Sequence, residues 1–235
     1  MNRLLCFVLA VLLTACGGGS GAPRKHTVTV FAASSLTRAF AAEAHAFEAA
    51  HPSYRVALSF AGSQALVAQV QQGAPATVLA TADSTSMAVV RAQLSSPAQP
   101  FAHNQLALIT SPGNPLGLRT LKDLARKGLR VVVAGPTVPL GRATTKALAA
   151  AGVTLHPVSQ EDSASGVVTK VRLGEAQAGI AYVTDLRGAV AGTPLPGTRS
   201  TLEIAPLTAD AGGAAFIAFV LSPPGRQILT SFGFS

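Results

Sequence analysis

The 235 residues carry 18 Lys and Arg against 10 Asp and Glu, a formal net charge of +8, with 49% hydrophobic and 5% aromatic residues. The basic side chains are dispersed from Arg3 to Arg226 with no run interleaved with aromatics, which excludes the clustered footprint of a nucleic-acid-binding surface. Cys6 and Cys16 are the only cysteines, so the body of the chain has no thiol for a disulfide or a metal site.

Arg3 and the apolar stretch 4–13 form a charged n-region and a hydrophobic segment too short to span a bilayer. Residues 1–15 therefore read as a signal peptide. Its end, Leu13-Thr14-Ala15-Cys16, resembles the lipobox of bacterial lipoproteins, which implies cleavage before Cys16 and acylation of its thiol. The glycine-rich segment that follows makes 16–26 a flexible tether holding a soluble body off the membrane. No other segment approaches transmembrane length.

Beyond the tether, strand and helix patterns alternate, as in an α/β fold. The periodicity predicts strands over 27–31, 54–60 and 76–80, with helices over 36–51, 64–72 and 84–92 between and after them. Residues 97–100 read as loop, and 105–110 as a buried strand ended by Pro112-Gly113-Asn114-Pro115. A second set follows: a short helix capped by Thr120, strands over 130–134, 153–158 and 179–183, and helices over 141–151 and 167–173. A short strand is expected at 205–207, an apolar run of either type at 214–221, and a closing helix at 225–232.

Two strands run directly into serines that open helices, Val30-Phe31-Ala32-Ala33-Ser34-Ser35 and Leu58-Ser59-Phe60-Ala61-Gly62-Ser63. Each serine alone is a routine helix N-cap. Together they offer unpaired N–H groups and two positive dipole ends to one oxyanion. Val138-Pro139-Leu140-Gly141-Arg142 and Ser163-Ala164-Ser165-Gly166 open helices in the same way, giving four N-termini. Such a shell is rich in neutral donors and poor in carboxylate acceptors, so it suits a fully deprotonated dianion. Enzyme signatures are missing: there is no Walker A, Gly-x-Gly-x-x-Gly, His-Glu-x-x-His or Gly-x-Ser-x-Gly motif.

These segments, with Gly73-Ala74-Pro75-Ala76, Ala82-Asp83, Phe101-Ala102-His103-Asn104-Gln105-Leu106 and Gly179-Ile180-Ala181-Tyr182-Val183-Thr184-Asp185, give the chain its likeness to a known family. It resembles the molybdate-binding lipoproteins of bacterial ABC transporters, within the type II periplasmic-binding-protein superfamily. The resemblance implies a two-lobed periplasmic-binding-protein-like α/β fold with the ligand cleft between lobes. One lobe would be 27–106 plus 205–235, the other 107–204. It implies no reaction and no cofactor, only capture of molybdate or tungstate by a monomer and delivery to a permease and its ATPase.

Carried over by position, the oxyanion ligands are Ser35 and Ser63 through hydroxyl and N–H, Leu140 and Ala164 through N–H, and Tyr182 through its phenol. Any molybdenum is held only as molybdate. Ser34 replaces a usual alanine and adds a hydroxyl beside the site. Thr77 stands where an aspartate is common, and Leu140 is bulkier than the usual residue. In 161–166 the match shifts by a residue, so Ser163 or Ser165 could take the place of Ala164. Three rivals remain: the same fold carrying sulfate or thiosulfate, a serine hydrolase using Ser35 or Ser63 with His103 as base, and a tethered adhesin without a small ligand.

Overall fold

The computed structural model describes residues 25–186 and 190–235. The signal peptide, Cys16 and most of the tether lie outside them. One mixed eight-stranded sheet runs through the described residues in the order β2-β1-β3-β8-β4-β7-β5-β6. β1 (His26–Ala33) lies between β2 (Tyr54–Ala61) and β3 (Val78–Thr81), parallel to both. β5 (Val131–Ala134) lies between β6 (Ser159–Glu161) and β7 (Ala178–Tyr182), again parallel to both. Two long antiparallel strands, β4 (Gln99–Thr110) and β8 (Ala191–Pro206), join these parallel halves.

Helices cover both halves. α1 (Thr37–Ala50), α2 (Ser63–Gln71), α3 (Ser84–Val89), α6 (Ala211–Leu221) and α7 (Pro223–Ser231) surround β1–β3. α4 (Pro139–Ala150) and α5 (Ala164–Arg172) flank β5–β7. Each half has its own apolar core. In the first, Phe40, Phe47 and Phe216 meet edge to face, with Phe47 and Phe216 centroids 5.4 Å apart. In the second, Val131, Val132 and Ile180 of the sheet pack under Val167 and Val171 of α5. The fold is thus two-lobed, with β4 and β8 crossing between the lobes.

Several elements depart from their expected bounds. The strand expected over 153–158 starts only at Ser159, because Val158 alone of that stretch reaches the sheet, donating to the Val131 carbonyl at 2.9 Å. Residues 99–100, expected in a loop, open β4. The ambiguous run at 214–221 is helical, with Asp210 accepting from the Gly213 N–H at 2.7 Å as its cap.

The largest difference is β8, expected only at 205–207. Pro194, Pro196 and Gly197 hide it, and its pairing with β4 slips between Gln105 and Ala107. There Gly197 adopts φ +76°. The Thr198 hydroxyl accepts the Leu106 N–H at 3.1 Å, and the Gln105 amide donates to the Leu195 carbonyl at 2.8 Å. Side chains thus replace the missing ladder bonds at the crossover.

Candidate oxyanion-binding site

Strand ends and helix starts of both lobes converge on one small cavity. From the first lobe it is lined by Ala33, Ser34, Ser35, Gly62, Ser63 and Ala82. From the second come Val138, Pro139, Leu140, Ala164 and Tyr182. All six residues singled out for an oxyanion, Ser34 included, are therefore brought together. The cavity is small, about 10 Å³, room for a single water.

The helix starts facing this cavity are of two kinds, α5 capped by the Ser163 side chain and the others without a side-chain cap. Asp83, Thr120, Ser163, Asp210 and Ser222 each cap a helix with their side chain. The 3-10 turn at Ser34–Leu36, α2 and α4 have no side-chain cap. Ser35 and Ser63 are not N-caps, as the routine reading would have them; the capping positions are Ala33 and Gly62. The first-turn N–H groups of Ser63, Leu140 and Ala164 have no intrahelical acceptor by position, and they border the cavity.

The hydroxyls are held ready to donate. Ser35 Oγ is buried without a hydrogen-bond partner. Ser63 Oγ accepts the Ala82 N–H at 3.1 Å, which leaves its own proton to donate elsewhere. Tyr182, at the end of β7 opposite Leu106 of β4, is 1% exposed. Its hydroxyl makes no hydrogen bond of normal geometry, although the Ser200 hydroxyl is near enough to act on its proton affinity. Burial, then the carboxylates of Asp83 and Asp185, raises the phenol well above its ordinary value, so it stays a neutral donor. Asp185 in turn accepts the Tyr182 N–H at 2.9 Å, and burial pushes its carboxyl up to about 6.

The segment 161–166 settles into a clear geometry. Ser163 Oγ is occupied, accepting the Gly166 N–H and sharing a 3.2 Å contact with Ser165 Oγ. Ser165 lines a neighbouring groove with Arg38 and Arg172, and only Ala164 borders the cavity. None of the lining residues is acidic.

A hydrolase site is not assembled. His103, the candidate base, bonds Thr201 Oγ1 at 3.1 Å in a separate pocket near Ser235. His26 pairs with Asp210, His51 with the Phe47 carbonyl, and His45 and His156 are exposed. Among the described residues no group of three His, Cys, Asp or Glu is placed to hold a metal ion. No helix among them is long and apolar enough to cross a membrane.

Sequence marked Ala82-Asp83 as part of the family likeness but left two contacts of the site unread. Ala82 bonds Ser63 from the end of β3, where a run of small apolar residues carries no signal of the bond. Asp83 and Arg142 meet across the lobes, with Arg142 Nε and Nη2 3.0 and 2.6 Å from Asp83 Oδ2. Each reads alone as an ordinary surface charge.

Two lobes closing on a cavity of neutral donors, with no nucleophile–base pair, define a solute-binding protein. A family model described as bacterial extracellular solute-binding protein matches residues 28–235, and the chain belongs to this family. It is an extracytoplasmic transport component and not an enzyme. The chain is 37% identical to the molybdate-binding protein ModA of Mycobacterium tuberculosis H37Rv over 250 residues, covering 99% of this chain and 96% of that protein.

Two solved structures share the fold. The periplasmic molybdate-binding protein of Azotobacter vinelandii aligns with TM-score 0.79 at 20% identity, covering 88% of this chain and 98% of that one. The sulfate-binding protein SubI of Mycobacterium tuberculosis aligns with TM-score 0.78 at 18% identity, covering 89% and 86%.

Proposed function

We propose that this protein captures molybdate, and its near-isostere tungstate, and hands it to the permease and ATPase of an ABC importer. Ser35, Ser63 and Tyr182 give hydroxyls to the oxyanion, and the Ser35, Ser63, Leu140 and Ala164 N–H groups complete its shell, with Ser34 alongside. The observation that carries this reading is the pair of buried hydroxyls, Ser35 Oγ and Tyr182 Oη, that lack hydrogen-bond partners in one cavity. A buried unsatisfied hydroxyl costs about 1–3 kcal/mol, and an acceptor-only tetrahedral dianion repays that cost. The molybdate assignment is supported by the relative at 37% identity over nearly the whole chain.

The lobes divide at 27–106 plus 205–235 and 107–204, with the anion between them. Seating an anion larger than water parts the walls slightly, and closure then presents the loaded, monomeric form to the transporter. Cys16 carries the lipid that keeps the body at the outer face of the cytoplasmic membrane. Selection follows from cavity size and from a shell without carboxylates: phosphate retains a proton at neutral pH, and no acidic residue lines the cavity to accept it.

Calorimetric titration with molybdate, tungstate, sulfate and phosphate tests the proposal. Calorimetry suits a chain with two tyrosines and no tryptophan. We expect tight one-to-one binding of molybdate and tungstate and little heat with phosphate. Heat with sulfate alone keeps the fold and changes the cargo, the reading that the likeness to SubI favours. Silence with all four refutes oxyanion carriage.

A further inference from the structure

We propose that Asp83 and Arg142 are positioning residues for the oxyanion cavity, an ion pair across the cleft that fastens the closed lobes together. The proposal rests on the oxyanion reading above and extends it to two residues that do not line the cavity. Asp83 caps α3 through Oδ1, which accepts the Ser86 N–H at 2.9 Å. Its other oxygen, Oδ2, takes both Nε and Nη2 of Arg142 at 3.0 and 2.6 Å. Nη2 also donates to Ser86 Oγ at 2.8 Å, and Nη1 to the Thr137 carbonyl. One guanidinium thus joins α3 of the first lobe to the loop that opens α4 in the second.

The position of this pair gives it its role. Asp83 follows Ala82, whose N–H holds Ser63 Oγ. Arg142 lies two residues after Leu140, whose N–H faces the same cavity. Fastening Asp83 to Arg142 therefore sets the spacing between a donor of one wall and a donor of the other. On a different rim the Gln64 amide donates to the Asp162 carbonyl at 2.7 Å, a second hydrogen bond across the lobes. The charges also suit the cargo. A lone carboxylate beside the cavity would repel a dianion, and the guanidinium cancels it.

Both partners keep some exposure, 31% for the Arg142 side chain and 20% for Asp83, so water can compete for them when the lobes open. The pair exists only in the closed form. It therefore acts on release of the anion more than on its capture.

The test is a double-mutant cycle of Asp83→Asn and Arg142→Gln with Arg142→Lys as the conservative variant, read by molybdate association and dissociation rates. Asn keeps the cap on α3, so the ligand-free fold is preserved. Each single variant should raise the dissociation rate about tenfold with little change in association, as for loss of one charge-assisted contact. The double variant should be no worse than either single one, and Lys should restore part of the loss. Unchanged dissociation rates, or single effects that simply add, overturn the proposal.

A readout without ligand separates this proposal from the oxyanion reading. Spin labels at Val89→Cys and Leu173→Cys, exposed positions on the two lobes, report the interlobe distance. The ligand-free protein should hold a short-distance population that Asp83→Asn removes. An unchanged distribution overturns the fastening role even if molybdate binds. A wild-type protein that binds no oxyanion refutes the oxyanion reading, while the distances still decide the role of the pair.

Discussion

Ser35 and Tyr182 distinguish a binding site from a folding requirement by the sign of their effects. Each buries a hydroxyl with no hydrogen-bond partner, so its removal relieves the ligand-free protein of an unsatisfied group. We expect Ser35→Ala and Tyr182→Phe to leave the ligand-free Tm unchanged or slightly raised while weakening molybdate binding by about tenfold or more. Thermal scans with and without molybdate measure both signs in one experiment. Glu43 behaves differently. It is fully buried on α1 with both carboxyl oxygens unpartnered, and burial pushes its carboxyl up to about 8.

A carboxyl raised in the folded state contributes its full stability below pH ~4.5 and loses it as pH rises through about 8. Glu43→Gln should therefore stabilise the protein at pH 8 by about 2 kcal/mol, roughly 4–8 °C in Tm, and change little at pH 4.5. Equal shifts at both pH values would remove ionisation as the cause.

Among the elements, the helix starts were readable in sequence and their caps only in part: Thr120 caps its short helix as expected, while the caps beside the cavity were not legible. Serine after an apolar strand marks Ser35 and Ser63 as helix openings, yet the structure moves the capping positions to Ala33 and Gly62 and frees the serine hydroxyls. The difference is two residues at Ser35 and one at Ser63, within the uncertainty with which local pattern places a helix boundary. Gly62 also has a reason that only the tertiary structure supplies. A Cβ there would stand 2.3 Å from the Asp162 carbonyl of the other lobe, while its backbone, φ −60° and ψ 141°, suits alanine.

Gly62→Ala should consequently spare the ligand-free fold and weaken molybdate binding at least tenfold, checked by calorimetry. At Gly141 the obstruction lies within one lobe, with a Cβ 1.8 Å from the Gly135 carbonyl. Gly141→Ala should cost the fold itself on the order of 3 kcal/mol in denaturant unfolding. β8 was nearly illegible because its prolines and glycine interrupt any periodicity, and β4 with the Thr198 and Gln105 side chains supplies the order that its own residues lack.

For the molecule as a whole, the alternation of strands and helices made the α/β class readable, and the family resemblance supplied the two lobes. What stayed hidden was the long-range hydrogen bonding: the Asp83–Arg142 pair and the Gln64–Asp162 contact across the lobes, and the Ala82–Ser63 bond within the first lobe. All three join residues 19 to 98 positions apart, and none leaves a local trace. The central claim is that one oxyanion sits among Ser35, Ser63, Leu140, Ala164 and Tyr182. The most direct measurement is a crystal structure of the molybdate complex, with anomalous scattering locating the molybdenum. We expect one peak in this cavity, with molybdate oxygens about 2.7–3.1 Å from the donors of all five residues. A peak elsewhere, or a molybdenum touching only one lobe, would contradict it.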